Sequence, residues 1–190
     1  MRHGMKALLL AGALGACSPA QASAEGYVSP WVGVIFGNDQ AASGFKSFGV
    51  AFGNMRTGVV GTETNIGFTS GFFGKAQDNY VLDISGSLTA GPNWTGAKVR
   101  AHPYFAIGLA TIRTSIDGGN ATGETASTRL GTAIGGGATV GFKSNVGIRG
   151  DVRYYRGFSN ESPVNSLNVD LAKFHYWRAS IGLIFWWGVM

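Results

Sequence analysis

The residues best suited to specific chemistry are charged side chains that recur at every second position along short, weakly charged segments. Arg149, Asp151 and Arg153 alternate with uncharged residues, and Arg178 has a similar setting near the end of the chain. A period of two is the pattern of a β-strand, so these charges share one face of a sheet. The residues predicted to point to that face are Glu63, Asp83, Arg100, Arg149, Asp151, Arg153 and Arg178.

Two histidines, His102 and His175, are the remaining candidates for catalysis or metal binding. A nucleophile needs a base within hydrogen-bond reach, and no spacing around either histidine indicates such a pair. The single cysteine is Cys17, and the histidines lack the close spacing typical of a metal site. We therefore predict no catalytic residues, no metal and no cofactor.

The composition favours a membrane protein that crosses with strands. Charged residues are 13% of the chain, against about 25% in a typical soluble domain. Beyond the N-terminal segment, no apolar run approaches the roughly 20 residues of a transmembrane helix. A closed barrel remains, because lipid cannot satisfy the backbone groups of an open strand edge. The small net charge of +5 argues against nucleic acid as a partner.

The first 24 residues have the order of a secretory signal peptide. Arg2 and Lys6 precede an apolar run at 7–16, and small residues at 22–24 suit cleavage after Ala24. Removing 24 of 190 residues leaves 166 without cysteine, and losing the two cations lowers the formal charge from +5 to +3. The alternative is a lipobox at 14–17 that leaves a lipidated Cys17. We favour a signal peptide at 1–24 and one barrel domain at 25–190.

Alternation predicts eight strands, so the expected fold is all-β, an eight-stranded antiparallel up-and-down transmembrane barrel. The connections alternate between short and long, as periplasmic turns and extracellular loops do in outer-membrane barrels. The predicted strands are 26–37, 45–54, 58–68, 79–91, 98–114, 128–142, 145–156 and 172–187. The predicted extracellular loops are 38–44, 69–78, 115–127 and 157–171, and the short turns are 55–57, 92–97 and 143–144.

A soluble barrel of lipocalin type has the same alternation, and side-chain size separates the two. The more polar face carries small residues such as Gly49, Ser85 and Gly137, which suit the cramped interior of eight strands. A water-exposed surface would instead carry many long charged side chains. The apolar face, with Val32 and Phe105, is therefore predicted to face lipid. The inward charges could form an ion pathway or a plug of salt bridges, and we favour the plug because little lumen is free.

Three segments resemble the OmpA-like outer-membrane β-barrel proteins, a broad group also described as the porin family. Residues 99–108 resemble the R-x-x-P-Y-x-x-x-G strand of that group. Residues 135–137 and 146–154 resemble its glycine-rich strand and the R-x-D-x-R-Y strand that follows. The last strand resembles the C-terminal assembly signal, although the chain continues three residues further. The residues that carry this signal are Ser180, Gly182, Phe185 and Trp187.

The resemblance spans residues 27–187 and implies a surface protein of the outer membrane, inserted by the barrel assembly machinery. Its implied roles are envelope integrity or adhesion to host or surface ligands through the loops, and, less directly, passage of small solutes. We favour the non-enzymatic structural or adhesive role. The alternatives are a narrow porin-like channel and, less favoured, a lipid A-modifying enzyme.

Outward-pointing cations are predicted at the extracellular rim. Lysine and arginine at this level can extend to the phosphates of the outer leaflet and pair with them. We therefore predict contacts with lipopolysaccharide, the alternative being that one or more of these cations is simply solvated. The four residues are Lys46, Arg113, Arg156 and Lys173.

Overall fold

The structure of the protein is a computed structural model that describes residues 25–37, 46–56, 59–72, 79–96, 100–117, 124–142, 145–158 and 174–187. It contains eight long antiparallel strands, as the alternation predicted. They are β1 (Glu25–Phe36), β2 (Lys46–Arg56), β3 (Val60–Ser70), β4 (Asn79–Ala90), β5 (Arg100–Asp117), β6 (Glu124–Gly141), β7 (Val146–Gly157) and β8 (His175–Trp187).

The sheet closes on itself with up-and-down topology. Each strand pairs with its neighbours in the chain, and β1 pairs with β8, as in the partners Val32 and Ile181. The pairing of β4 with β5 completes the circle of eight. Every long strand therefore has a hydrogen-bonded neighbour on both sides, which is the condition for crossing a bilayer with strands.

The burial pattern confirms which face looks inward. Along β4, Asp83 and Ser85 are buried while Leu88 is 61% exposed. Val32 on β1 and Leu109 on β5 are also more than half exposed. Large apolar side chains thus cover the outside and small or polar ones fill the inside, the arrangement of a barrel in lipid. The described residues contain no helix of the length and apolarity needed to span a membrane.

The hairpin of β5 and β6 is longer than predicted. Both strands have 18 residues, and their pairing continues to Asp117 and Glu124, so the predicted loop 115–127 was drawn too long. This segment is rich in threonine and serine, and its polarity suggested a loop. Threonine has high strand propensity, however, and polar residues are tolerated where a strand projects beyond lipid.

The turn predicted at 92–97 also contains structure. A two-residue strand, Trp94–Thr95, folds back and pairs with Ala101 and Arg100 at the start of β5. Gly91 N donates to the carbonyl of Val59, which ties this turn to the one before β3. This hydrogen bond therefore joins two neighbouring turns at the periplasmic end of the barrel.

The ladder between β1 and β8 is interrupted at one place. Val28 pairs with Phe185 and Trp31 pairs with Gly182, but the bridges between them, at Ser29 and Pro30, are missing. Proline has no N–H to donate, so a ladder hydrogen bond is lost at Pro30. The register is the same on both sides of the gap, so the strands remain aligned.

We predict that the protein is heat-modifiable. Closure leaves no strand edge from which unfolding can proceed stepwise, so loss of structure should be cooperative and slow. Unboiled and boiled samples should therefore migrate at different positions in a detergent gel. Identical migration, together with solubility in the absence of detergent, would contradict the membrane assignment.

Candidate functional site: the charged lumen

Glu63 is the centre of the charge cluster nearer the periplasmic end. Its carboxylate accepts a hydrogen bond from Arg149 Nη2 at 2.7 Å, and further bonds from Arg153 Nη2 and the Tyr27 hydroxyl. Glu63 and Arg153 are 3% and 1% exposed. Three donors on two strands thus satisfy one buried carboxylate, the condition under which a charge is tolerated in a low-dielectric interior.

Asp151 joins the same cluster from the strand that carries both arginines. Arg153 Nε donates to Asp151 Oδ1 at 2.8 Å, and the Tyr104 hydroxyl donates to Oδ2 at 2.6 Å. That hydroxyl accepts a hydrogen bond from Arg149 Nε at 2.7 Å. Spacing of two residues on β7 aims these side chains into the lumen together, and Tyr104 links them to β5.

A second cluster is built on Arg178, in the half of the lumen nearer the extracellular end. Arg178 Nη1 lies 2.8 Å from both carboxylate oxygens of Asp83, and Nη2 donates to Asn65 Oδ1 at 3.0 Å. Nη2 also donates to the Tyr155 hydroxyl. The guanidinium carbon lies 4.2 Å from the ring centre of Trp31, so a cation–π contact covers its face.

The ion pairs of both clusters cross the lumen. In the strand order, β3 with Glu63 is four positions from β7 with Arg149 and Arg153, and β4 with Asp83 is four positions from β8 with Arg178. In a ring of eight strands, these pairs of strands face each other. We call the contacts of Glu63 with Arg149 and Arg153, and of Asp83 with Arg178, the cross-lumen pairs. The cross-lumen pairs connect opposite walls of the barrel. Together with Asp151 they comprise three carboxylates and three guanidinium groups, so the formal charges of the two clusters cancel.

Inward glycines make room for these pairs. A Cβ added to Gly67 would collide with the Arg178 guanidinium and the Asp83 carboxylate, and one added to Gly137 would lie 2.7 Å from the Tyr104 hydroxyl. The small residues that predicted a cramped interior therefore leave the space that long charged side chains occupy.

Apolar side chains close the lumen above and below the charges. On the extracellular side, rings of Phe72, Tyr155, Phe174 and Tyr176 pack together, with Phe72 and Phe174 centred 5.3 Å apart. Near the periplasmic end, a smaller cluster contains Tyr27, Ile184 and Trp186. The space between Tyr27, Glu63 and Arg149 is too narrow to hold a water molecule.

The structure brings together six of the seven predicted lumen charges. Arg100 differs: it lies at the periplasmic end of β5, half-buried, and makes none of the cross-lumen pairs. β5 starts at Arg100, so this residue lies at the end of the barrel and away from the two clusters. Residues that the sequence did not single out are Tyr27, Trp31, Asn65, Tyr104 and the inward Arg129, which is 8% exposed. Alternation in β1 and β5 could have indicated Tyr27, Trp31 and Tyr104.

The two histidines lie at opposite ends of the barrel. His102 is buried near the start of β5, with Nδ1 3.0 Å from the carbonyl oxygen of Pro92 and its ring stacked on Tyr104. His175 is at the start of β8, against Tyr154. The two cannot act in one site. Within the described ranges there is no group of three or more potential metal-ligating side chains.

The predicted assembly residues share β8 but not one face. Ser180 and Gly182 are on the inward side, and Phe185 and Trp187 point outward, 37% and 55% exposed. Gly182 faces the ladder gap: an added Cβ would meet the Pro30 carbonyl and lie 2.9 Å from Trp31 Cβ. The two aromatic residues lie at the periplasmic end of β8, where outer-membrane barrels carry a girdle of aromatic side chains.

The rim cations that the structure describes point outward. Lys46, Arg113 and Arg156 are exposed near the extracellular ends of β2, β5 and β7. Lys173 lies outside the described residues, as do positions 1–24 with the signal peptide and Cys17. Most of the predicted extracellular loops also lie outside them.

The architecture agrees with a comparison to known families. A family model described as an outer membrane protein beta-barrel domain matches residues 7–185. The chain belongs to this family. It is therefore a β-barrel of the outer membrane, as the resemblance of its three segments indicated. No curated protein sequence matches the chain significantly.

Solved structures of this architecture come from several bacteria. Neisserial surface protein A (NspA) is 15% identical with a TM-score of 0.60, covering 88% of this chain and 99% of its own. OprG from Pseudomonas aeruginosa is 14% identical with a TM-score of 0.58, covering 89% and 98%. The N-terminal barrel of Pseudomonas aeruginosa OprF is 15% identical with a TM-score of 0.54, covering 88% and 100%. At these identities the similarity describes the fold.

Removing one member of a cross-lumen pair should destabilise the barrel. Asp83→Asn leaves the Arg178 guanidinium buried without a counter-charge, and we expect a loss of about 3–5 kcal/mol in the free energy of unfolding. The double variant Asp83→Leu with Arg178→Met should recover most of that loss, because no charge stays buried. Urea unfolding in detergent measures both, and Arg113→Gln, an exposed cation, is the control with little effect. Equal stability of Asp83→Asn and Arg113→Gln would contradict the prediction.

Assembly in cells should depend on both faces of β8. Gly182→Leu must displace Trp31 or the Pro30 backbone, so we expect less folded protein in the outer membrane. Phe185→Asp and Trp187→Asp should also lower it, by placing charge at the lipid interface. Gly150→Leu is the matched control: Gly150 lies on β7 beside Ile181, with no atom within 4 Å of an added Cβ. The measurement is the heat-modifiable fraction in outer-membrane preparations, and wild-type levels in all variants would defeat the proposal.

Proposed function

We propose that the protein is a plugged, non-enzymatic barrel that reinforces the outer membrane and presents its extracellular loops to host or surface ligands. The observation that carries this proposal is the filled lumen. The cross-lumen pairs connect opposite walls, and apolar clusters lie on either side of them. A barrel braced in this way acts as a rigid support, and its contacts with other molecules are made on its outside.

The alternative of a narrow channel requires a continuous path of water and mobile counter-ions. In the described lumen the six charges of the two clusters are already paired with one another, and Trp186 and Phe72 belong to apolar clusters near its two ends. An ion entering would have to displace a guanidinium from a carboxylate at distances near 2.8 Å. Such pairs are costly to break, which favours a structural role for the charges.

The alternative of a lipid A-modifying enzyme requires a nucleophile and a base on the outer rim. Of the two histidines after residue 24, His102 is buried near the periplasmic end, far from the outer leaflet. His175 is close to that leaflet, packed against Tyr154. Because the two histidines lie at opposite ends of the barrel, they cannot act together, and this supports a non-enzymatic protein.

We also propose the partners that such a barrel requires. The signal peptide 1–24 directs export, and the barrel assembly machinery recognises the last strand through Ser180, Gly182, Phe185 and Trp187. The outward cations Lys46, Arg113 and Arg156, with Lys173, pair with lipopolysaccharide phosphates. The long β5–β6 hairpin, which continues to Asp117 and Glu124, extends one part of the surface that the loops form.

The purified protein should not conduct in planar lipid bilayers. Because the six charges of the two clusters neutralise each other and apolar clusters with aromatic side chains pack on either side of them, we expect no resolved single-channel steps. The positive control is a porin of known conductance prepared in the same detergent. Reproducible steps that disappear in the Arg153→Gln variant would instead establish an ion pathway through the lumen.

The surface role needs its own measurement. Each of the segments 38–44, 73–78 and 159–171, which lie within the predicted loops and leave the strands and Phe72 intact, is replaced by a glycine-serine linker. Binding of the producing cells to extracellular matrix and host cells is then compared. Loss of binding with one loop, at unchanged protein level, identifies the contact surface. Lipid A mass spectrometry with and without the protein should show no new species, and a shifted species would establish the enzymatic alternative.

A further inference from the structure

A row of aromatic rings crosses three strands on the outer face at the extracellular rim. His175 and Tyr154 have ring centres 5.9 Å apart, and Tyr154 and Trp177 are 5.0 Å apart. Trp177 then stacks with Phe36 at 6.4 Å and an interplanar angle of 14°. We call these four residues the rim platform. It extends from β7 through β8 to β1, across the seam where the barrel closes.

Basic side chains flank the rim platform on both sides. Arg156 is the register partner of His175, and both are on the outer face. On the other side, Lys46 pairs with Val34, which lies two residues before Phe36 on the same face of β1. Charge and aromatic surface therefore occur together within a single continuous patch.

The backbone holds the platform in position. Gly37 follows Phe36 with a φ of 74°, and an added Cβ would lie 2.8 Å from Trp177 Cδ1. The chain therefore turns away from β1 tightly against the indole ring. Trp177 is still 39% exposed and Phe36 is 41% exposed, so both offer ring surface on the outside of the barrel.

We infer that the rim platform binds one phosphorylated, acylated sugar of the outer leaflet. This inference rests on the proposed contact with lipopolysaccharide and assigns it to one place. The Arg156 guanidinium pairs with a phosphate of the sugar, because guanidinium and phosphate groups form strong charge-assisted hydrogen bonds. The exposed rings of Trp177 and Phe36 cover the apolar face of the sugar, since the negative ring face attracts polarised C–H groups. Acyl chains then lie along Val32, Val152 and Ile181, which continue the patch toward mid-membrane at 61%, 42% and 59% exposure.

The remaining described rim cation has a different setting. Arg113 pairs in register with Leu82 and Thr128, neither of which is aromatic or basic. Arg113 can attract any anion at the membrane surface, but its two direct partners offer no ring for a sugar. The nearest outward ring on β4 is that of Tyr80, which pairs with Ser115 and stacks on Phe68. The chain thus contains a matched pair of arginines, one beside the platform and one away from it.

The test compares three additives on the folded protein in a zwitterionic detergent. The additives are diphosphoryl lipid A, phosphatidylglycerol and inorganic phosphate, and the readout is the rise in thermal unfolding midpoint with additive concentration. The variants are Arg156→Gln and Trp177→Leu, with Arg113→Gln as the comparison for a rim charge away from the platform and Trp187→Leu as the control. Trp187 is on the same strand and face as Trp177, at the periplasmic end.

Lipid A should raise the midpoint of the wild type more than the other additives. Its affinity should fall by about tenfold in Arg156→Gln, the effect of losing one charge-assisted hydrogen bond. Trp177→Leu should also weaken it, and Trp177→Phe should restore it. Arg113→Gln should lower the affinity less than Arg156→Gln does, and Trp187→Leu should keep the wild-type response. Unboiled gel migration verifies folding, and Phe36→Leu substitutes for Trp177→Leu if that variant does not fold.

Two results would overturn the inference. Equal losses in Arg113→Gln and Arg156→Gln would mean that rim charge acts in general, and equal responses to lipid A and phosphatidylglycerol would mean that only a phosphate is recognised. Neither result bears on whether the lumen is plugged, which the bilayer conductance decides separately. Conversely, a conducting barrel would leave the platform measurement unchanged.

Discussion

The pairing of charges across a narrow lumen is the interaction on which the rest of the structure depends. Eight strands enclose a space that side chains just fill, so a guanidinium placed there has no water to solvate it. It must meet a carboxylate, and Arg178 with Asp83, and Arg153 with Glu63, meet theirs from opposite walls. The need for these contacts explains the tyrosines that satisfy remaining oxygens and the glycines that leave space for the long side chains.

Closure of the backbone is the second constraint, and the protein meets it with one local exception. In lipid, each strand needs hydrogen-bonding neighbours on both sides, and the circle from β1 to β8 provides them. Pro30 interrupts the seam, and Gly182 and Trp31 pack beside it from within. Packing inside the barrel therefore supports the seam at the place where a hydrogen bond is missing. The same seam carries the rim platform on its outer surface.

In the function that we propose, the filled interior leaves contacts with other molecules to the outside of the barrel. The apolar band faces outward along the strands, and the described rim cations and the rings of the rim platform lie near the extracellular ends of the strands. Rigidity contributed by the lumen matters to each of these surfaces, because rings and charges on a fixed wall keep their spacing. Trp177 on β8 illustrates this, because its register partner is Tyr154 on β7, two residues before Arg156 on the same face.

The sequence by itself determined the fold class, the eight strands and the direction of most side chains, because alternation with period two encodes the face of each residue. It placed Glu63, Asp83 and Asp151 in the lumen and Arg113 and Arg156 outside without any structural information. Only the tertiary structure decided which charges meet, since partners such as Asp83 and Arg178 are 95 residues apart and face each other only once the circle closes. Strand ends at Asp117 and Glu124 also required it, because pairing between strands, and not local polarity, sets where a hairpin stops.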